Sequence, residues 1–464
     1  MNPLISEQTQ DLGAGRGLAV PGANGYPLVG LLPHVLLDPL QALLGVVKRH
    51  GDVACVNVGF EKIYLLSHPD HVEHVFRANG GNFVKEGSLW AAGQQLAGNG
   101  IATAEGSAWL RQRRMMQPQF HRQKLAVMTS LMVEAGVEGL DAWRPAAQKG
   151  QPIELLRELK SVSTHIFLRA LLSTSISAQE MSELTDAVNV ALGHINVLMW
   201  TSSLPRWLPI PGSRRFQQAR QIIDRIIYPI IRSRYGQPGE RGDLLDLLLL
   251  ARDADTGERM SEQQVRDELV TLVVAAHETT ATALAWTVYL LCGHPEAERR
   301  VAAEARSLAG DRLPAFEDLE KLPYTKMAFQ EAMRLYPPLW LTVRRAVAQD
   351  KIAGYRIPAG ALVAIVPYVI HRHPSSWQRP EAFEPERFTQ ANAEGRHRGA
   401  YLPFGAGGHL CIGKNLAIME AQLLLAMLFQ RYRVSLVPGQ KVKPQAAIVL
   451  RPRNGILATL QAIS

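Results

Sequence analysis

Apolar residues recur along most of this chain with helical spacing. Leu269, Leu272, Val273, Ala276, Thr280, Ala283 and Leu284 follow the i, i+3, i+4, i+7 rhythm of one buried face, which continues to about Leu291 before Gly293 and Pro295 stop it. That pattern predicts a long core helix. A second helix is expected over residues 324–335, ended by Pro337-Pro338. A third is expected over residues 412–431, where Leu416, Met419, Leu423, Met427 and Leu428 share a face. Alternation is rarer: residues 53–59 and 62–67 read as two short strands after an opening loop at Pro21-Gly22 and Pro27, and residues 355–357 and 362–366 as further strand pieces. A chain of 464 residues could hold two or three domains. With no internal repeat and no low-complexity linker, the expectation is a mainly α fold with a smaller β region: an N-terminal tail of residues 1–20 and a single domain over residues 21–464.

Composition narrows the class. At 47% apolar and 20% charged residues the chain is an ordinary globular protein with material for a large core. Cys55, Cys292 and Cys411 are far apart and show no CxxC spacing. That argues against a disulfide framework or zinc knuckle and fits a reducing cytoplasm. Residues 1–20 mix Glu7, Asp11 and Arg16 with glycines, and the apolar stretch 31–47 is broken by Pro33, His34, Asp38 and Pro39. No membrane anchor is expected. The net charge of +8 fits nucleic acid, a membrane surface or an acidic protein. Without a basic run, zinc-finger spacing or ribonucleoprotein aromatics, an acidic partner protein is the better reading and nucleic-acid binding is not expected.

The chemistry gathers near the C-terminus. Phe404-Gly405-Ala406-Gly407-Gly408-His409-Leu410-Cys411-Ile412-Gly413 places a lone cysteine in a glycine-dense loop before a predicted helix. The positive end of that helix is expected to lower the thiol pKa and favour the thiolate that a soft metal site needs. Glycines let the backbone approach a flat macrocycle and aim N–H groups at the sulfur. An isolated cysteine is more often an inert buried thiol, or else a redox or nucleophilic one. The flanking residues change that reading, because F-x-x-G-x-H-x-C-x-G resembles the haem-binding loop of the cytochrome P450 family, with His where Arg is commoner. The resemblance implies the fold of that family, with haem b held between a long distal helix and the helix after the cysteine loop. It also implies Cys411 as the metal ligand, His409 on a haem propionate and Phe404 beside the sulfur. A histidine can lose its charge near neutral pH, so that propionate contact would be pH-sensitive.

Other segments match the family in order. Glu331-Ala332-Met333-Arg334 alone would be a surface ion pair, like Glu154/Arg157 or Glu296/Arg299. Followed by Pro385-Glu386-Arg387-Phe388 and the cysteine loop, it resembles the family's buried triad of Glu331, Arg334 and Arg387, a scaffold for folding and haem incorporation. Removing one member would leave a buried charge uncompensated, at about 3–5 kcal/mol. Ala275-Ala276-His277-Glu278-Thr279-Thr280 breaks the apolar face of the long helix with an acid and two alcohols, and threonines there can bond the carbonyl four residues back. By resemblance, Glu278 and Thr279 are the catalytic acid–alcohol pair of oxygen activation. Ala276 stands where glycine is frequent, and His277 is expected to face away from the iron. Trp109 and Arg113 lie four residues apart on one helix face and resemble the family's propionate-holding pair. Arg344, or Arg345 as the alternative, corresponds to the other propionate arginine.

These motifs imply a monooxygenase that places one atom of dioxygen in an apolar small molecule and releases the other as water. No flavin or ferredoxin module fits in the remaining length, so electrons are expected from a separate ferredoxin or flavodoxin with its reductase. Arg111, Arg114, Arg122, Lys124 and Lys414 would form the basic patch that receives it. Residues near Leu89, Trp90 and Leu96, around Val274 and Ala275, and over 339–343 and 447–449 are expected to line an apolar pocket. A terpenoid, fatty acid or polyketide would suit it. Two alternatives stand beside this reading: a peroxide-driven thiolate-haem peroxygenase, which has no use for an acid–alcohol pair, and a non-enzymatic haem or lipid-binding protein.

Overall fold

The structure is a computed structural model that describes residues 18–463 apart from 24, 27–28, 60, 202–209, 236–238, 240, 253–256 and 309–311. Most of the expected N-terminal tail and Pro27 therefore lie outside the described residues. The long helix spans Glu262–Cys292. It starts ahead of its apolar face because Ser261 caps it, accepting the Gln264 N–H at 3.2 Å. Helix Pro323–Leu335 opens with proline at its first position, and the Glu304 carboxylate accepts the N–H groups of Tyr324 and Thr325 at 2.7 and 2.8 Å. The last long helix is Lys414–Arg431, two residues shorter than expected, because Ile412 and Gly413 stay in the cysteine loop. Glu154 corrects a smaller expectation: its carboxylate accepts the Leu156 and Arg157 N–H groups as a helix cap and forms no ion pair with Arg157.

The main sheet has six strands in the order Gly22–Ala23, Val53–Val58, Glu61–Leu66, Leu362–Ile365, Thr342–Ala346 and Phe83–Val84. Val53–Val58 pairs antiparallel with Glu61–Leu66, with Val53 opposite Leu66. Alternate residues serve two small cores: Val53, Cys55, Tyr64 and Leu66 face one, and Ala54, Val56 and Leu65 the other. The main core is helical and is centred on Leu155–Leu172, Glu262–Cys292 and Lys414–Arg431. Among the described residues two helical stretches are long and apolar enough to cross a membrane, Glu262–Cys292 and Gly407–Arg431, and both lie mostly inside the fold.

Glu331 and Arg334 are completely buried and pair at 2.7 and 2.8 Å, and Arg387 reaches Glu331 at 3.3 Å. Every remaining donor direction of Arg334 is used, on the carbonyls of His371, Pro380 and Ala382. His371 returns the contact through Nδ1 to the Arg334 carbonyl and accepts the Leu402 N–H on Nε2 at 2.9 Å. The triad thus holds the segment that leads into the cysteine loop.

Four buried titratable groups carry large and opposing shifts. Burial, and then the charge of Arg334, lowers His371 to about 3, and burial, and then Lys160, lowers His277 to about 3. Burial raises Glu268 to about 7 and Glu420 to about 8. Between the ordinary carboxyl and histidine ranges, the unfolded chain binds two extra protons on the histidines and the folded chain binds two on the carboxyls, so the slopes cancel. The contribution of these four groups is therefore expected to be flat as pH falls from 6.5 to 4.5 and to turn unfavourable below that. In Glu420→Gln the histidine slope is exposed, and the unfolding free energy from urea titration should fall relative to wild type through that window by about 1 kcal/mol per pH unit. An unchanged flat profile in the variant would contradict this balance.

Candidate functional site

The cysteine loop is shaped before its sulfur is considered. Cys411 N–H bonds the Phe404 carbonyl at 2.9 Å, and a short turn at Gly407–His409 precedes it. Gly407 has φ +67°, and a Cβ there would meet the Phe76 carbonyl oxygen at 1.9 Å, so only glycine fits. Phe76 belongs to a π-helical turn, His74–Ala78, that packs on this loop. Cys411 is exposed, whereas Cys55 is buried and Cys292 half-buried. Burial pushes those two thiols up to about 11 and 12, which makes them inert. The expected lowering at Cys411 is corrected. The residue is open on one side, yet crowding by protein atoms raises its thiol and outweighs the Gly413 N–H and the Arg113 and Lys414 charges that act the other way.

Cations surround this loop. Arg344 is buried, while strand alternation turns Arg345 outward to pair with Glu86 at 2.8 Å. The Arg344 guanidinium lies between the Phe76 and Trp90 rings, 5.2 and 5.3 Å from their centroids, and makes no ion pair among the described residues. Burial lowers it to about 10. The Trp109 and His409 rings are 4.0 Å apart. His409 Nε2 meets Glu105 at 3.1 Å, and its Nδ1 is buried without a partner. Arg113 donates to the Leu410 carbonyl at 2.9 Å. Lys85 and Glu105 were not found in the sequence, since no local pattern marks them. Lys85 donates to the Ile101 and Ala102 carbonyls and its backbone N–H to Glu105. Burial alone would raise Glu105, but His409 and the Lys85 N–H hold it near 2. Trp90, expected in an apolar pocket wall, instead donates its indole N–H to the Val343 carbonyl and covers Arg344.

On the long helix the backbone changes to a π turn at Ala276–Thr280. Neighbouring turns are buried, but Val274, Ala276 and Thr279 are half-exposed and Ala275 is exposed, which marks one open face. Thr279 Oγ1 bonds the Ala275 carbonyl at 2.8 Å. Glu278 points the other way and meets Lys160 Nζ at 2.5 Å, both side chains buried. His277 also turns from the open face and bonds Thr164 at 2.8 Å. Lys160, the counter-charge of Glu278, escaped sequence reading because a lone lysine within the apolar helix Leu155–Leu172 carries no motif. Of the expected pocket residues, Leu96 and Val449 are buried and Leu339 is exposed.

This donor set suits a flat dianionic cofactor with a metal that takes sulfur. The residues offer one open thiol, a buried arginine without a carboxylate, and an orphaned imidazole nitrogen. A sequence profile of the Cytochrome P450 family matches residues 20–459. The chain is 34% identical to cyclooctatin synthase of Streptomyces melanosporofaciens, with 94% of each chain covered. It is 35% identical to cyclooctat-9-en-7-ol 5-monooxygenase of the same organism, covering 90% of this chain and 89% of that one. It is 30% identical to pentalenene oxygenase of Streptomyces avermitilis, covering 94% and 95%. Its fold superposes on the crystal structure of the cytochrome P450DA heme domain with a TM-score of 0.87 at 24% identity, covering 97% and 99%. The long helix, the buried triad and the cysteine loop thus sit in a chain that belongs to the cytochrome P450 family of haem b monooxygenases.

Proposed function

We propose that this enzyme hydroxylates or epoxidises an apolar terpenoid, with Cys411 as the residue whose thiolate would hold the haem iron. The observation that carries the site assignment is the pairing of an open thiol, with the buried Arg344 free of any ion pair among the described residues, with the open polar break in the long helix. The family acts on small molecules with dioxygen and takes its electrons from redox partners. When bound, thiolate-ligated haem supplies the electron push that favours O–O cleavage. Arg344, Arg113, Trp109, His409 through Nδ1, and Lys85 would hold the propionates, and Phe404 would fix the cysteine loop through its carbonyl. Glu278 takes up protons on the Lys160 side of the helix, and Thr279 presents them on the open side. Ala276 narrows that side slightly. An acid–alcohol pair has no role in a peroxide-driven enzyme, which favours dioxygen chemistry. Terpene-modifying bacterial relatives point to the substrate class.

For the electron donor we infer an acidic ferredoxin or flavodoxin. Arg114, Arg122, Lys124 and Lys414 are exposed around the proximal side, although Arg122 already pairs with Glu320 at 3.0 Å. Three free cysteines fit a reducing cytoplasm.

A screen of terpenoids for the haem spin-state change, followed by labelled dioxygen, tests the reading directly. One labelled atom should appear in product, and peroxide alone should not replace dioxygen. Cys411→His should abolish the red-shifted Soret band of the reduced carbon monoxide complex and most turnover. Retention of that band would overturn the ligand assignment. Glu278→Gln should keep haem content while product formation drops about 10²-fold. The rate of reduction by an acidic ferredoxin should fall roughly tenfold as ionic strength rises from low to above physiological. A salt-independent rate would remove the basic patch from the account.

A further inference from the structure

Residues 98–105 run from the long helix to the cysteine loop, and three successive side chains of the long helix grip the start of that path. Arg266 donates to the Leu96 carbonyl at 2.8 Å and reaches Asp224 of helix Ser213–Arg232 at 2.7 Å. Asp267 accepts the Asn99 N–H at 3.0 Å, Gln263 at 2.8 Å and Arg266 at 3.0 Å. Glu268 accepts the Ile101 N–H at 2.9 Å. Gly98 has φ +54°, and a Cβ there would lie 2.1 Å from the Asp267 carboxylate. Gln112 donates to the Asn99 carbonyl at 2.7 Å, and Lys85 donates to the Ile101 and Ala102 carbonyls. The path ends at Glu105, against His409 of the cysteine loop. The N–H and carbonyl of Asn99 and of Ile101 and the carbonyl of Ala102 are thus met by charged or amide side chains, a construction that resists displacement.

We propose that Arg266, Asp267 and Glu268 form a clamp that fixes how deeply the Ser88–Ala97 helix and its following loop close over the space beside Ala275, making them specificity-positioning residues. The proposal rests on reading that space as the ligand pocket. Arg266 does not touch the ligand. It sets the wall by tying three elements together: the Ser88–Ala97 helix at Leu96, the long helix and helix Ser213–Arg232. A ligand large enough to press on Leu96 feels the clamp, whereas a small one does not.

The test uses the haem-loaded full chain and two azoles read by the Soret shift: imidazole as the small probe and clotrimazole as the bulky one. In Asp267→Asn, and independently in Gly98→Ala, which keeps every charge, clotrimazole should bind roughly tenfold tighter while imidazole stays within about twofold. Arg266→Lys, which keeps a cation between Asp224 and Asp267, should restore most of the wild-type ratio relative to Arg266→Met. An unchanged ratio in both variants, or parallel changes for both azoles that follow Tm, would overturn the proposal. Hydrogen exchange on the wild-type holoprotein provides a measurement free of variants: Asn99 and Ile101 amides should exchange as slowly as the helix beneath them, and fast exchange would also overturn it. Failure of the wild type to bind imidazole at all would instead sink the haem assignment.

Discussion

The Glu331–Arg334 pair is the constraint on which the rest depends. Two opposite charges with no access to water are tolerable only when every remaining donor and acceptor is met. Meeting them recruits carbonyls from three separate positions, the Glu384 N–H, Arg387 and, through His371, the chain entering the cysteine loop. Packing alone is non-directional, whereas this network admits one arrangement. The reactive thiol inherits its position from it.

The distal wall obeys a different rule. There the long helix gives up regular bonding at its π turn, and the polar groups separate to opposite sides, Glu278 inward to Lys160 and Thr279 outward. A regular helix would not combine an open, polar side with a buried acid at the same level so readily. The lysine is the counter-charge of that acid inside an apolar bundle.

What was legible in the sequence was whatever the chain writes contiguously. The long helix follows from its apolar face, and the cysteine loop from residues within ten positions of one another. Contacts between distant segments left no trace: Lys160 beneath Glu278, Lys85 and Glu105 beside His409, and Trp90 over Arg344 each depend on how helices and strands meet in three dimensions. The choice between Arg344 and Arg345 shows the boundary clearly. Neighbouring residues of a strand face opposite sides, and the sequence does not say which side is the interior until the register with Leu362–Ile365 is known. The thiol expectation at Cys411 failed for a related reason, since proximity to a helix end is visible in sequence and desolvation is not.

Glu105 sits where two tasks meet, binding the Lys85 backbone at the edge of the pocket wall and the His409 ring in the cysteine loop. A carboxylate shared in this way makes the two regions energetically reciprocal. Whatever factor a ligand in the pocket adds to the grip on the cofactor, the cofactor must return to the grip on that ligand. Glu105 is the shared contact through which such a coupling would run.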